Sequence, residues 1–264
     1  MKEKKVAIVT GGTRGMGADI SLDLAENGYS ILAVYKSNQQ SALSFREKLK
    51  DASQESDIFQ GDVSKQKDVD AVVNQAVEKY GRIDVLINNA GIFDFVFIED
   101  MTEDYLDHIL SVNFKSQFLM TKACIPHMKK NNYGRIINAS SISGTIADVG
   151  LTGYGASKAC VNMFTVIASG ELAPYNITVN AYAPSIIHTD LTDEMIRERG
   201  DDQRKQIPLY RFGEGREVAA LTTFLASPQA SYITGEIIGV GGGFFKVQNP
   251  YRAHEYVMGK GQSK

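Results

Sequence analysis

Val6-Ala-Ile-Val-Thr-Gly-Gly-Thr-Arg-Gly-Met-Gly17 decides the fold. Its first four residues are apolar, as a strand buried on both faces requires. The run enters a turn holding Gly11, Gly12, Gly15 and Gly17 with nothing between. Beyond it, Ile20 and Leu24, with Ala18, Leu22 and Ala25, recur at helical spacing. Strand, glycine turn and helix in that order are the setting a dinucleotide-binding turn needs. Backbone at Gly11, Thr13, Arg14, Gly15, Met16 and Gly17 would come close to a pyrophosphate, and the helix N-terminus would offer it free N–H groups. Glycines also serve ordinary turns, so the flanking strand and helix carry the nucleotide reading.

A second apolar strand, Tyr29 to Val34, follows, and its end bears on which nucleotide fits. NAD sites usually place an acid there for the ribose hydroxyls. Here the end reads Val34-Tyr35-Lys36-Ser37, with no carboxylate. Lys36, Ser37 and Arg14 would together hold a 2′-phosphate, which favours NADP(H) and makes NAD(H) the lesser choice. The bland alternative is that Lys36 is a solvated loop cation. A helix over Ser41–Lys50 leads to a third strand, Asp57–Gln60. Next come Asp62, which either accepts from an adenine amino group or caps the following turn, and Val63. Val69, Val72, Val73, Ala76, Val77 and Tyr80 form a core-facing helical stripe.

The pattern continues to the C-terminus. Val85–Ile87 is a fourth strand, running into Asn88-Asn89-Ala90-Gly91 at the end where open α/β sheets bind ligands. Phe93-Asp-Phe-Val-Phe97 either lines an apolar pocket or packs on its neighbours. Tyr105 to Lys130 reads as one long amphipathic helix that includes Asn113. Arg135–Ala139 is a fifth strand ending in Ser140 and Ser141, and Ile177–Tyr182 a sixth, ending in Pro184-Ser185. Residues 186–212 (Ile187, Thr189, Asp190, Asp193 and Arg197 among them) are polar and mixed, either a lid over substrate or a surface insertion. Glu217–Ala226 is helical, and Ile237–Val240 is the last strand before Gly241-Gly-Gly243. The tail at 244–264 shows no clear periodicity. Alternation of strand and helix implies one α/β domain, a Rossmann-like doubly wound parallel sheet of about seven strands with helices on both faces.

Composition excludes several classes. A formal charge of −3 without long basic runs argues against nucleic acid as partner. No apolar stretch approaches a membrane span, and the start shows no signal-peptide pattern, so the expected location is cytoplasmic. Cys124 and Cys160 read as buried thiols. The four histidines are scattered, no Cys/His spacing suggests a metal, and no nucleophile elbow is present.

One stretch carries chemistry. In Tyr154-Gly-Ala-Ser-Lys158 a phenol and an ammonium stand about one helical turn apart, on one face. At a separation of about 4 Å and an effective dielectric of about 20, the ammonium would favour the phenolate by roughly 4 kcal/mol, lowering the phenol by up to about three pH units. A tyrosine so placed could exchange protons with an alcohol or ketone near neutrality. Taken alone, such a pair is more often a packed ring beside a solvated ammonium.

Together these residues resemble the short-chain dehydrogenase/reductase family, nearly throughout, from Val6 to about Gly243. The resemblance rests on Thr10-Gly-x-x-x-Gly15-x-Gly17, Asn88-Asn-Ala-Gly91, Asn113, Ser141 and Tyr154-x-x-x-Lys158, in the family's order and spacing. It implies that Tyr154 is the general acid in ketone reduction and the base in alcohol oxidation. It gives Ser141 the substrate oxygen, Lys158 the nicotinamide ribose, and Asn113 a water in a relay to Lys158. Asp62, Val63, Asn89, Ala90 and Gly91 would meet the adenosine and ribose, and Pro184, Ile187 and Thr189 the nicotinamide end. A homotetramer, with the Asn113 and Tyr154 helices at its interfaces, is likewise implied. Two positions depart from the family's usual pattern: Ser185 stands where Gly is common, and Gly241 where Asp is.

Within the family the chain looks most like the 3-oxoacyl-acyl-carrier-protein reductase branch, which would place it in fatty acid biosynthesis with an acyl-thioester or other carbonyl substrate. Lys129, Lys130 and Arg135 are the candidate cations for carrier-protein docking. The rival readings are a dehydrogenase of a small sugar, diol or steroid, and an NADP-sensing protein without turnover.

Overall fold

The computed structural model describes residues 4–189, 192–244 and 246–261. Seven strands form one sheet: β1 (Val6–Thr10), β2 (Ser30–Tyr35), β3 (Asp57–Gln60), β4 (Val85–Asn88), β5 (Gly134–Ala139), β6 (Ile177–Pro184) and the last, Ile237–Val240. Every pairing is parallel, and the order is β3-β2-β1-β4-β5-β6 and then the last strand. Two short strands, β7 (Ile187–His188) and β8 (Gly213–Glu214), pair apart from it, which makes the last strand of the sheet β9.

Side chains alternate across a strand, so each strand feeds both faces. Ala7, Val9, Ile31, Ala33 and Ile87 pack on one face against Ile20 and Leu24 of α1 (Gly15–Glu26), Phe45 and Leu49 of α2 (Gln39–Ala52), and Val218 and Leu225 of the helix Gly215–Ala226. Ile8, Leu32, Val34, Leu86 and Ile136 pack on the other, against α3 (Gln66–Tyr80), the helix Ser116–Lys130 and the helix Thr152–Leu172. The doubly wound sheet with helices on both faces is as expected from the alternation. Its order reverses between β1 and β4, and their carboxyl ends open the crevice where such sheets take ligands.

Two expectations need correction. The helix expected at Tyr105–Lys130 is two helices, α4 (Glu103–Leu110) and α5 (Ser116–Lys130), joined by a π-helical turn at Ser111–Lys115. Extra residues in a turn of this kind redirect a side chain without ending the helix, and here the turn contains Asn113. The tail is not featureless: Tyr251–Gly261 is helical. Its His254 Nε2 lies 2.8 Å from the Pro208 carbonyl, and its ring stacks on Tyr210 at 4.5 Å. The lid region contains α7 (Asp193–Arg204), whose Met195 and Ile196 pack with Ile186, Ile207 and Phe244 against Ile142, the neighbour of Ser141. Asp190 lies outside the described residues. With α6 (Thr152–Leu172) and α8 (Gly215–Ala226), the tail helix is α9.

The two departures from the family pattern touch one another. A Cβ on Gly241 would stand 2.9 Å from Ser185 Oγ and 3.0 Å from its Cβ. The serine occupies the space a side chain at 241 would need.

Candidate active site

The glycine turn after β1 is shaped for a phosphate. Gly11 and Gly15 have φ of 61° and 50°, where other residues are strained. A Cβ on Gly17 would collide with the Gly11 carbonyl oxygen. Arg14, at the N-cap of α1, makes no side-chain cap, and the first turn carries no acid. The open amides and positive dipole end therefore suit an anion, and the turn fits the pyrophosphate of a dinucleotide. Thr13 is buried; Arg14 and Met16 lie on the rim.

Asn89 ties this turn to β4. Its Nδ2 donates to the Thr10 and Gly11 carbonyls at 3.0 and 3.1 Å, and its Oδ1 accepts from the Tyr182 hydroxyl at 2.8 Å. The amides of Asn89 and Ala90 donate to Thr10 Oγ1. Thr10 and Tyr182 are thus part of the crevice floor, though neither stands out in the sequence as more than a strand residue. Thr189 lies over the mouth of the turn, with Cγ2 3.8 Å from where a Gly15 Cβ would be. Pro184 ends β6, and Ile187 begins β7 with its side chain buried.

At the ends of β2 and β3 the charges pair differently from expectation. Tyr35 closes β2, and Lys36 and Ser37 are exposed. Lys36 is not without an opposing acid: its Nζ is 3.0 Å from Asp62 Oδ2. Asp62 Oδ1 accepts from Ser64 N and Oγ at 3.1 and 2.6 Å, so it does cap the following turn. Burial alone would raise the Asp62 carboxyl, but bonds from Ser64 and Lys36 hold it below the usual range. Val63 is buried beside it.

The other end of the crevice gathers the candidate catalytic residues. Ser141 follows β5 and caps a 3₁₀ turn through Ser143 N. Its hydroxyl faces the Tyr154 phenol and favours the phenolate form. Lys158, one turn along α6, is 3% exposed, and its Nζ donates to the Ala139 carbonyl at 2.8 Å. Gly91 makes room for Asn113: a Cβ there would stand 3.2 Å from Asn113 Oδ1, and at an ordinary 3.7 Å from Lys158 Nζ. Asn113 is not an exposed helical residue but wholly buried. It accepts from Ile92 N at 2.8 Å and donates to Ile92 O and Ser157 Oγ at 3.0 and 3.1 Å. Phe93 packs edge-on against the Tyr154 ring at 5.0 Å, while Phe95 and Phe97 are largely exposed. Phe93 therefore walls the site, whereas the rest of its loop faces solvent.

The electrostatics correct the sequence expectation for Tyr154. Its phenol is raised by burial, and the bond from Ser141 opposes that only in part. The ammonium of Lys158 lies 5.6 Å from the ring centroid and is held by Ala139 rather than by the phenol. Burial pulls Lys158 itself down to about 8. The phenol is thus held protonated at neutral pH, the state a proton donor needs.

The proposed docking cations fare less well. Arg135 is buried, donating to the Gly134 and Asn176 carbonyls. Lys129 stacks on Tyr175 at 3.7 Å. Arg135 sits at the first residues of β5, and Ser141 at its far end, about 20 Å away at ~3.3 Å per residue. Arg135 therefore stands at the opposite end of β5 from the site. No cluster of His, Cys, Asp and Glu able to hold a metal occurs among the described residues, and no described helix is long and apolar enough to cross a membrane.

Comparison with known proteins agrees with the geometry. Residues 5–200 match the family model described as short chain dehydrogenase. Over 245 residues, 93% of this chain and all of the relative, it is 39% identical to the 3-oxoacyl-[acyl-carrier-protein] reductase FabG of Staphylococcus aureus strain Mu50. It is equally identical to the FabG of Thermotoga maritima over 243 residues, 91% of this chain and 98% of that one. The solved structure of gox2181 superposes with a TM-score of 0.88 at 31% identity, covering 93% and 97% of the two chains. A mutant of a Serratia marcescens short-chain dehydrogenase/reductase gives 0.87 at 31% identity, covering 92% and 99%.

Proposed function

The chain belongs to the short-chain dehydrogenase family and is an oxidoreductase, and from that premise we propose that it reduces a 3-oxoacyl thioester to the secondary alcohol with NADPH, reversibly. The observation that carries the reading is the linked set Ser141, Tyr154, Lys158 and Asn113 at the carboxyl ends of β4 and β5. Relatives named as 3-oxoacyl-[acyl-carrier-protein] reductases, aligned over nearly the whole chain, support the substrate class.

In this reading the nicotinamide, when bound, supplies the hydride. Ser141 Oγ hydrogen-bonds the carbonyl oxygen, and Tyr154 donates its proton as charge develops there. Burial, which keeps the phenol protonated, suits the direction of reduction. Lys158 holds the ribose, and Asn113 keeps the π turn against Ile92 so that a relay to Lys158 stays aligned. Phe93 excludes water from one side of Tyr154. Gly11, Thr13, Arg14, Gly15, Met16 and Gly17 hold the pyrophosphate. Val63, Asn89, Ala90 and Gly91 line the adenosine and ribose side, and Pro184, Ile187 and Thr189 the nicotinamide end.

Lys36, Ser37 and Arg14 hold the 2′-phosphate, with Lys36 exchanging Asp62 for it. One observation favours a second reading, NADH as the donor: the 3.0 Å ion pair already occupies Lys36. Lys36 keeps most of its side chain in solvent, however, although Asp62 is largely buried; surface pairs contribute only about 0–1 kcal/mol, so a phosphate dianion can compete with the carboxylate. Phe118, Met163, Val166 and Ile167 leave an exposed apolar stripe on α5 and α6, which supports burial between subunits of a homotetramer. We place the enzyme in the cytoplasm as one catalytic domain with the lid at 186–212.

The test is oxidation of NADPH, and of NADH in parallel, by purified protein with acetoacetyl thioesters, diketones, keto-sugars and keto-steroids. Thioester turnover with NADPH supports the reading. Faster turnover of a cyclic ketone moves the substrate to the sugar, diol or steroid class. Tight NADPH binding without turnover of any of them leaves a sensing role.

A further inference from the structure

Gln117 lies four residues beyond Asn113 and is 1% exposed. Its Nε2 donates to two backbone carbonyls, that of Asn113 at 3.0 Å and that of Ala139 at 3.2 Å. The Ala139 oxygen is also the acceptor for Lys158 Nζ at 2.8 Å. One amide group therefore joins three parts of the site. These are the π turn holding Asn113, the end of β5 from which Ser141 follows, and the lysine of α6.

The chain keeps this amide at a cost. Gln117 Oε1 is buried and accepts from no protein group, and a buried acceptor without a protein partner is destabilising. An apolar side chain of similar volume would fill the same space without that penalty. Packing does not explain a glutamine here; the two bonds of its nitrogen do. Asn88, next in the same interior, donates to Asn138 Oδ1 and Thr121 Oγ1 at 2.9 and 3.2 Å, but reaches neither Asn113 nor Lys158.

We propose that Gln117 is a positioning residue for the reaction, fixing the Asn113 carbonyl and the Ala139 carbonyl so that the Lys158 ammonium stands where ribose and Tyr154 need it. The proposal rests on the assignment of Lys158 to the nucleotide ribose. Its physical content is specific. The positive amide hydrogens of Gln117 point at the same oxygen that accepts from Lys158, so they raise the energy of the ammonium. Lys158 is otherwise governed by burial, which brings it to about 8. The titratable group beside it is the phenol of Tyr154 on its own helix, and that phenol in turn faces Tyr182 on β6; burial pushes both phenols up.

Removing the amide should let Lys158 hold its proton to higher pH while losing its fixed place. In Gln117→Leu, kcat for carbonyl reduction is expected to fall about tenfold, with the thermal midpoint unchanged or raised. The pH at which NADP(H) affinity falls, read by nucleotide fluorescence, should rise by about half a unit. Gln117→Met, unbranched, serves the same test if the leucine branch does not fit. Binding midpoint and kcat both equal to those of the parent in a folded variant would overturn the proposal. Lower kcat together with a lower thermal midpoint and an unmoved binding midpoint would also do so, reducing Gln117 to packing. A parent that binds nucleotide but reduces no carbonyl defeats the proposed activity alone, because the binding midpoint still reads Gln117.

Discussion

The two ends of the crevice are built on different physical terms. At the catalytic end, Asn113, Ser141 and Lys158 are buried, and each bonds to backbone or to another member of the group. At the proposed adenosine end, Lys36 keeps 58% of its side chain in solvent and takes a carboxylate partner, Asp62, from the turn after β3. Buried polar groups must find partners of fixed geometry, so spacing along the sequence constrains them strongly. An exposed ammonium takes whichever anion is near, at little gain. The first kind of site is rigid in what it does; the second can be retuned by one substitution.

The sharpest way to break that contrast is Tyr154→Phe. If the phenol is the proton donor, kcat should fall by about 10³-fold while NADPH affinity, read by fluorescence, stays within about twofold. Turnover that survives would show the catalytic end to be as replaceable as the adenosine end.

Lys158→Met separates rigidity from stability. The lysine falls from 10.5 to about 8 on folding, so below pH 8 the folded chain holds an ammonium it would rather release. Stability should then rise with pH between about 8 and 10.5, where the unfolded chain binds the extra proton. Replacing the lysine should abolish reduction yet stabilise the fold at pH 7 by up to about 3 kcal/mol. The advantage should shrink toward pH 10. Thermal midpoints of parent and variant at the two pH values check this; a variant less stable at pH 7 would contradict it.

Asp62→Ala probes the softer end. Freeing Lys36 should raise the preference for NADPH over NADH by about fivefold, the scale of a surface ion pair, as measured by kcat/KM with each nucleotide. An unchanged ratio would mean that the pair plays no part in choosing the cofactor.

Much of this was legible in the sequence because the sheet imposes it. Asp57–Gln60 and Ile237–Val240 are strands with the expected limits, since apolar runs bounded by turn residues have few other fates. The site motifs lie at strand ends, which the parallel sheet carries to one edge. What stayed hidden was not local. The π turn is set by Ile92 and Ser157 holding Asn113 from outside its helix. The α9 clasp depends on Pro208 and Tyr210, more than forty residues away. Lys158 leaves the phenol because Ala139 lies across the interior, a contact no spacing reveals. Gln117 gave one signal, an amide sharing a helix face with Asn113.

Ser185 and Gly241 lie in different strand ends yet behave as one position. A side chain at 241 needs the room that Ser185 now fills, so only one of the two can bear one at a time. Exchange between this arrangement and the family's usual Gly and Asp has a preferred order. Changing Ser185 to Gly first opens the gap, and Gly241 can then accept an Asp; the reverse order passes through a clash. The history available to this corner of the enzyme is directional, and a double-mutant cycle would show unequal arms.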